Sequence, residues 1–311
     1  DLTFWVWPES LWAPISFTIT YLQKIQKEKE DWKNWWLHQD AKVYQFIGED
    51  NIYFYGIAEM GMLMSYLGIK PDDQASIESI NFPQLVANCH LLFLDSKASS
   101  SSDLKPPMAD ELLNHYTKDQ LRMHFLSLGL SKKSVSFSPK PFDPNCPADA
   151  PDVVLKDGNL LTNVYNRLLR SCFYTSQKYF DSMVPRAEVR EEMKEMVHKA
   201  IYEYEHNMAR QEFHLVIYTL DDIIRNVSKY WSKYMKEADD LDDTAKRAQV
   251  VADCLYAVKS ILTLLHPITP SSAEMVKTYL NLNDSLWQWE FIFDDITAHM
   301  EIGRASCRGR V

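Results

Sequence analysis

Several stretches of the 311-residue chain place side chains at spacings that could do chemistry. In Phe46-Ile47-Gly48-Glu49-Asp50-Asn51-Ile52-Tyr53-Phe54 an acidic pair follows a glycine, between an apolar segment of strand character and an apolar segment of helix character. A carboxylate there, as Asp50 would be, can accept from a ribose hydroxyl, pair with a ligand ammonium, or simply cap the following helix. Lys97-Ala98-Ser99-Ser100-Ser101 joins a cation to a run of hydroxyls. Such a loop can neutralise developing phosphate charge or be an ordinary surface loop. Asn163-Val164-Tyr165-Asn166-Arg167-Leu168-Leu169-Arg170 sets an amide and a guanidinium at i, i+4 twice, as Asn163 with Arg167 and as Asn166 with Arg170. On a helix either pair shares one face and can hydrogen-bond the edges of unstacked bases. Spacing alone leaves both registers open.

The elements that must hold these residues follow from hydrophobic period and from punctuation by Gly and Pro. Leu2 to Val6 reads as a buried strand stopped at Pro8, Ser16 to Lys27 as a helix, Val43 to Gly48 as a second strand, Ile52 to Leu67 as an apolar helix, and Val86 to Leu94 as a third strand. Strands alternating with helices predict parallel pairing, an α/β sheet, and ligand sites at strand C-terminal ends over residues 1–135. Thr117-Lys118-Asp119-Gln120 has the form of a capping box, which starts a helix whose Leu121, Phe125 and Leu128 share a face. Residues 136–157 are proline-rich and read as a linker or connecting arm. From Gly158 to about residue 300 the pattern is helical, over Asn159–Phe180, Ala187–Glu205, Arg210–Lys236 and Thr244–Leu265, and predicts an antiparallel bundle of about four to five helices.

The formal charge of −10 excludes a uniformly basic nucleic-acid binder. It leaves room for a local positive strip, and Gly158 to Phe180 holds Arg167, Arg170 and Lys178 with no acidic residue. The five cysteines are scattered, with no CxxC pair to hold zinc, so no metal-ligand set is expected and reduced thiols are. No run reaches the roughly 18 uninterrupted apolar residues that would span a bilayer, and the first residues lack the basic region of a signal peptide. The expectation is a cytoplasmic protein. The absence of an initiator Met suggests a piece of a longer reading frame, and Glu301 to Val311 resembles a translated sequencing adapter, a non-native tail.

The string from Phe46 to Phe54 resembles the "FIGKD-hydrophobic-YFH" block of methionyl-tRNA synthetases, and the likeness continues through Lys97, Leu113-Asn114-His115-Tyr116, Asp119 and Leu121-Arg122 into the helical region. The resemblance implies the second half of a Rossmann-type catalytic domain followed by a helical anticodon-binding domain. It makes Lys97-Ala98-Ser99-Ser100-Ser101 the "KMSKS" loop, so that Lys97, Ser99 and Ser100 fall at catalytic positions that meet the pyrophosphate, with Ser100 where the family has its second lysine and Lys105 as a stand-in. Gly48, Asp50 and Tyr55 fall at substrate and adenylate positions, Tyr55 replacing the His of "YFH". Phe4-Trp5-Val6-Trp7-Pro8-Glu9 with Trp12-Ala13-Pro14 resembles the "YVW-x-D-AP" block that lines the methionine pocket, although Trp7 and Trp12 serve equally well as core.

By the same resemblance Asn163, Asn166, Arg167 and Arg170 read the anticodon, Trp231 is a candidate to stack on one of its bases, and Leu264-Leu265-His266-Pro267-Ile268-Thr269-Pro270 ends the last bundle helix. The implied activity is ATP-dependent ligation of methionine to tRNA through methionyl-adenylate, with Mg2+ accompanying the ATP. The family's "HIGH" signature matches none of the nine histidines, so these residues alone are expected to be inactive. A non-catalytic tRNA-binding paralogue, or a class I synthetase for leucine, isoleucine or valine, would use the same elements.

Overall fold

The computed structural model describes residues 7–26, 32–78, 80–97, 105–296 and 302. The expected strand Leu2–Val6, Ser99 and Ser100 of the hydroxyl run, and all of the adapter-like tail but Ile302 lie outside the described residues. The chain divides into two compact units, residues 1–92 with 130–135 and residues 93–129 with 136–311. By contacts, then, residues 93–129 are grouped with the helices that follow.

In the first unit, α1 (Trp7–Tyr21) continues through a π-helical turn, Leu22–Gln26. The helix starts well before the expected Ser16. Pro8 lies in its first turn, where a missing N–H costs nothing, and Pro14 is accommodated inside it, with the Thr18 hydroxyl donating to the Pro14 carbonyl at 3.2 Å. Then come α2 (Lys33–Trp36), β1 (Tyr44–Gly48), α3 (Glu59–Tyr66), α4 (Gln74–Glu78), β2 (Gln84–Asn88) and β3 (Leu91–Phe93). The pair β1 and β2 is parallel, from Tyr44 opposite Gln84 to Gly48 opposite Asn88. The expected single strand Val86–Leu94 is therefore two. The ladder with β1 ends at Asn88, and left-handed Leu94 (φ 46°) and Asp95 (φ 65°) turn the chain after β3. The core here is small: Ile15, Trp36 and Leu63, flanked by Trp12, Ile19 and Phe82, with the Trp36 indole N–H donating to Thr18 Oγ1 at 2.9 Å.

The second unit contains α5 (Ala109–Leu113), α6 (Lys118–Ser127), most of β4 (Val135–Phe137), α7 (Leu155–Asn159), a π-helical stretch (Leu160–Tyr165), α8 (Asn166–Tyr179), α9 (Glu191–Ala209), α10 (Phe213–Asp240), α11 (Thr244–Leu265) and α12 (Pro270–Tyr279). The capping box forms as its sequence predicts, Gln120 N–H donating to Thr117 Oγ1 at 3.2 Å and Thr117 N–H to Gln120 Oε1 at 2.9 Å. The stretch 136–157 is a packed arm rather than a loose linker. Phe137 is buried, Tyr116 OH donates to Asp152 Oδ2 at 2.8 Å, and Lys140 Nζ donates to the carbonyls of Ala148 and Ala150. Gly158 does not begin the helical region but lies within α7, where a Cβ would come within 2.9 Å of Gln120 Cγ.

One apolar cluster runs through α8 to α12. Its centre, α11, is long and apolar enough to cross a membrane, but 89% of that window is buried by neighbouring elements, as for a core helix. Asp253 on α11 is fully buried and fully engaged. It accepts from the Arg190 amide (2.8 Å) and Arg190 Nε (2.7 Å), from Tyr230 OH (2.6 Å) and from Gln249 Nε2 (3.0 Å). At the far end of α11 the Leu-Leu-His-Pro exit is clamped to α6. Arg122 donates to the carbonyls of Ile268 (2.9 Å) and Pro267 (2.7 Å), while Asp119 Oδ2 accepts from the Ser272 amide and hydroxyl, both at 2.7 Å.

Candidate functional site

In the first unit the site residues stand where β1 and β2 end. Gly48 has an extended backbone (φ −73°, ψ 150°), so its φ does not demand glycine. A Cβ on residue 48 would lie 2.7 Å from Asp50 Oδ1 and would push that carboxylate aside. Asp50 caps nothing. It lies inside the 3-10 turn Glu49–Asn51, which lacks a side-chain cap, and its Oδ1 accepts from Asn51 Nδ2 at 3.1 Å.

His90, which the sequence reading did not single out, completes this corner. Its Nδ1 donates to Glu49 Oε1 at 2.8 Å, since a carboxylate can only accept, and its Nε2 is 3.9 Å from Asp50 Oδ2. Both carboxylates thus face one imidazole at the C-terminal ends of two parallel strands, the region where ligands bind in open α/β sheets. Burial, and after it the hydrogen bond and charge of Glu49, raise the pKa of the neighbouring Cys89 thiol and keep it protonated.

Tyr55 is half-buried within the π-helical turn Phe54–Ala58 that leads into α3. π-turns recur at functional sites. In α3, Glu59 is buried with its pKa raised by desolvation, although Gln45 Nε2 donates to its Oε1 at 3.0 Å. Trp12 packs edge-on to Tyr66, ring centres 6.1 Å apart, and belongs to the small core of this unit. Trp7 opens α1, and its side chain lies outside the described residues.

In the second unit, Lys97 and Lys105 are exposed on either side of the segment that holds Ser99 and Ser100. The best-assembled group is on α8. Asn163, Asn166, Arg167 and Arg170 line one concavity of about 360 Å³ together with Ser171 and Tyr174. The opposite face of α8 buries Leu168, Leu169, Cys172, Phe173 and Ser176, which fixes the rotation of the helix and turns the polar stripe outward. Asn163 lies in the π-helical stretch and Asn166 begins α8. Both sequence registers therefore meet in a single site.

A second groove, about 550 Å³, shares Arg167 and Ser171 with the first and is walled by Trp231, Ser228, Ser232 and Lys236 of α10, with Asp239 and Asp240 at its end. Trp231 is half-buried against the bundle core yet open to this groove, so stacking remains sterically available. Asp239 is already engaged, accepting from Arg247 Nε at 3.0 Å. Tyr174 and Ser171 were missed in the sequence. The available signal was spacing, since Tyr174 follows Arg170 by four residues along the stripe.

The family model for tRNA synthetases class I (M) matches residues 1–162. The methionine–tRNA ligase of Pyrococcus horikoshii is 27% identical over 296 residues, covering 92% of this chain and 38% of that protein. Methionine–tRNA ligase 1 of Alkaliphilus oremlandii is 23% identical over 277 residues, covering 87% of this chain and 46% of that protein. This chain thus spans less than half the length of these curated relatives. Mycobacterium tuberculosis methionyl-tRNA synthetase in complex with methionyl-adenylate superposes with a TM-score of 0.76 at 16% identity, over 97% of this chain and 55% of that one. That likeness extends the common fold through the helices of the second unit. With a family match over more than half of its residues, the chain belongs to the M family of class I tRNA synthetases.

Proposed function

We propose that this chain is the tRNA-reading part, with a portion of the catalytic part, of a methionine–tRNA ligase. The reaction is attack of the methionine carboxylate on the α-phosphate of ATP with loss of pyrophosphate, then transfer of the methionyl group from the adenylate to the 3′ end of tRNA. The observation that carries the proposal is the convergence of Asn163, Asn166, Arg167 and Arg170 in one carboxylate-free concavity on a helix anchored by its other face. Guanidinium forks and amides in that arrangement suit base edges in an unstacked anticodon loop. Trp231 in the adjoining groove would supply a stacking surface.

In the catalytic part, Asp50 takes the ribose or ammonium, while Gly48, Tyr55, Trp7 and Trp12 contribute to the substrate pocket. Lys97, with Ser99 and Ser100, balances charge on the departing pyrophosphate. The functional division follows the sequence: a catalytic part to residue 135, the arm 136–157, then an anticodon-binding part to about residue 300. Among the described residues no group of three or more His, Cys, Asp or Glu could hold a metal ion. In this reading Mg2+ arrives on the ATP phosphates. In this reading the protein works in the cytoplasm.

The test on the chain itself is fluorescence anisotropy with anticodon stem-loops. A CAU loop is expected to bind about tenfold or more tighter than loops with permuted anticodons, given the usual cost of a mismatched contact. Equal affinity for all loops would remove the anticodon assignment. In the full-length protein, amino-acid-dependent ATP–pyrophosphate exchange should respond to methionine alone. Exchange with leucine, isoleucine or valine would move the substrate, and no exchange would favour a tRNA-binding paralogue, the reading supported by Ser100 at the position of the second loop lysine.

A further inference from the structure

We infer that Arg170 and Tyr174 form a clamp for one nucleotide of the bound RNA loop, an extension that rests on the anticodon reading above. Tyr174 lines the same concavity as Asn163, Asn166 and Arg167, and its side chain is 43% exposed although the residues before it, Cys172 and Phe173, are buried in the core. The Arg170 guanidinium lies 5.7 Å from the centre of the Tyr174 ring, so a cation and a π-face are presented together at the end of the stripe. A base can stack on such a ring whatever its identity, while the guanidinium meets the adjoining phosphate.

Tyr174 follows Arg167 by seven residues, about 10 Å along a helix rising 1.5 Å per residue, so the clamp meets a different nucleotide from the one at Arg167. The six residues lining the concavity include no carboxylate, so nothing in its wall repels a phosphate backbone continuing in that direction.

The test is a thermodynamic cycle on the intact chain, pairing Tyr174→Ala with stem-loops carrying one abasic nucleotide at each loop position in turn. Tyr174→Ala should weaken the normal loop about tenfold, Tyr174→Phe should bind like the parent, and the loss should vanish at one abasic position. An equal loss for every abasic loop would overturn the clamp. Arg167→Ala keeps the two readings apart: if it abolishes CAU preference while Tyr174→Ala changes nothing, the clamp falls and the anticodon site stands. If the parent chain shows no CAU preference at all, the underlying reading has failed instead.

Discussion

The two units support their candidate sites in opposite ways. In the second, α8 carries the polar stripe on one face and five core residues on the other, and α11 behind it is buried along almost its whole length. Residues of the stripe can change without touching what holds the helix. In the first, the corner made by Gly48, Glu49, Asp50 and His90 sits at the end of a parallel ladder that has two strands among the described residues, in a unit with a small apolar cluster of Ile15, Trp36 and Leu63, while Phe17, Ile25, Phe46, Tyr53 and Ile57 are exposed. Parallel sheets are normally covered on both faces. Geometry in this corner leans on polar contacts such as Glu49 with His90, and it should be the softer of the two.

The largest effect that bears on this contrast is expected at Asp253. Replacing it with Ala leaves the Tyr230 hydroxyl and the partly exposed Arg190 guanidinium without their acceptor, and each hydrogen bond lost to a charged group costs about 1.5–3 kcal/mol. Urea denaturation followed by circular dichroism should show that loss, and a change under about 1 kcal/mol would mean that the second unit does not depend on its buried polar hub. Next is Leu63→Ala in the first unit, within the range of about 2–5 kcal/mol for a buried leucine and in its lower half, because a small core collapses more readily. Hydrogen exchange should locate the damage, with protection lost in Tyr44–Gly48 and Gln84–Asn88 and kept in α10 and α11. Equal loss in α10 and α11 would dissolve the distinction between the units.

The smallest expected effect is a pH dependence. Lys259 is buried on α11, donating to the carbonyls of Phe291 and Asp294, and desolvation pulls its pKa down to about 8, against the opposing pull of Asp294 and Asp295. The folded value lies below the unfolded one, so above pH 8 the unfolded chain holds more protons and stability rises with pH from this group. Between pH 7 and 9 the melting temperature of the parent should gain on that of Lys259→Met. A difference that shrinks over the same interval would contradict the assigned direction.

Particular residues show how far the sequence could be read. The capping box at Thr117 and Gln120 formed as written because both partners lie within one turn. The strand Tyr44–Gly48, its parallel pairing and the ends of α11 were legible for the same reason: period and punctuation are local. Pro8, read as the stop of a strand, sits in the first turn of α1, and Pro14 lies in the interior of that helix, ahead of the expected start at Ser16. Gly158 misled as a helix start, since its lack of a side chain answers to Gln120 on another helix. Val86–Leu94 read as one strand because its composition cannot reveal that the ladder with β1 ends at Asn88.

In the candidate sites, residue types and spacing along α8 by themselves determined that amides and guanidiniums would share a helix face, because a helix converts spacing directly into direction. They also determined a local positive strip in an acidic chain. Tertiary structure alone decided that both registers share one concavity, that Trp231 borders it through Arg167, and that Tyr174 extends it. It alone brought His90 to Glu49 and Arg190 to Asp253, pairs 41 and 63 residues apart. Those meetings depend on how whole elements pack, and packing is set by the shapes of buried side chains summed over the core, a quantity that no single stretch of sequence contains.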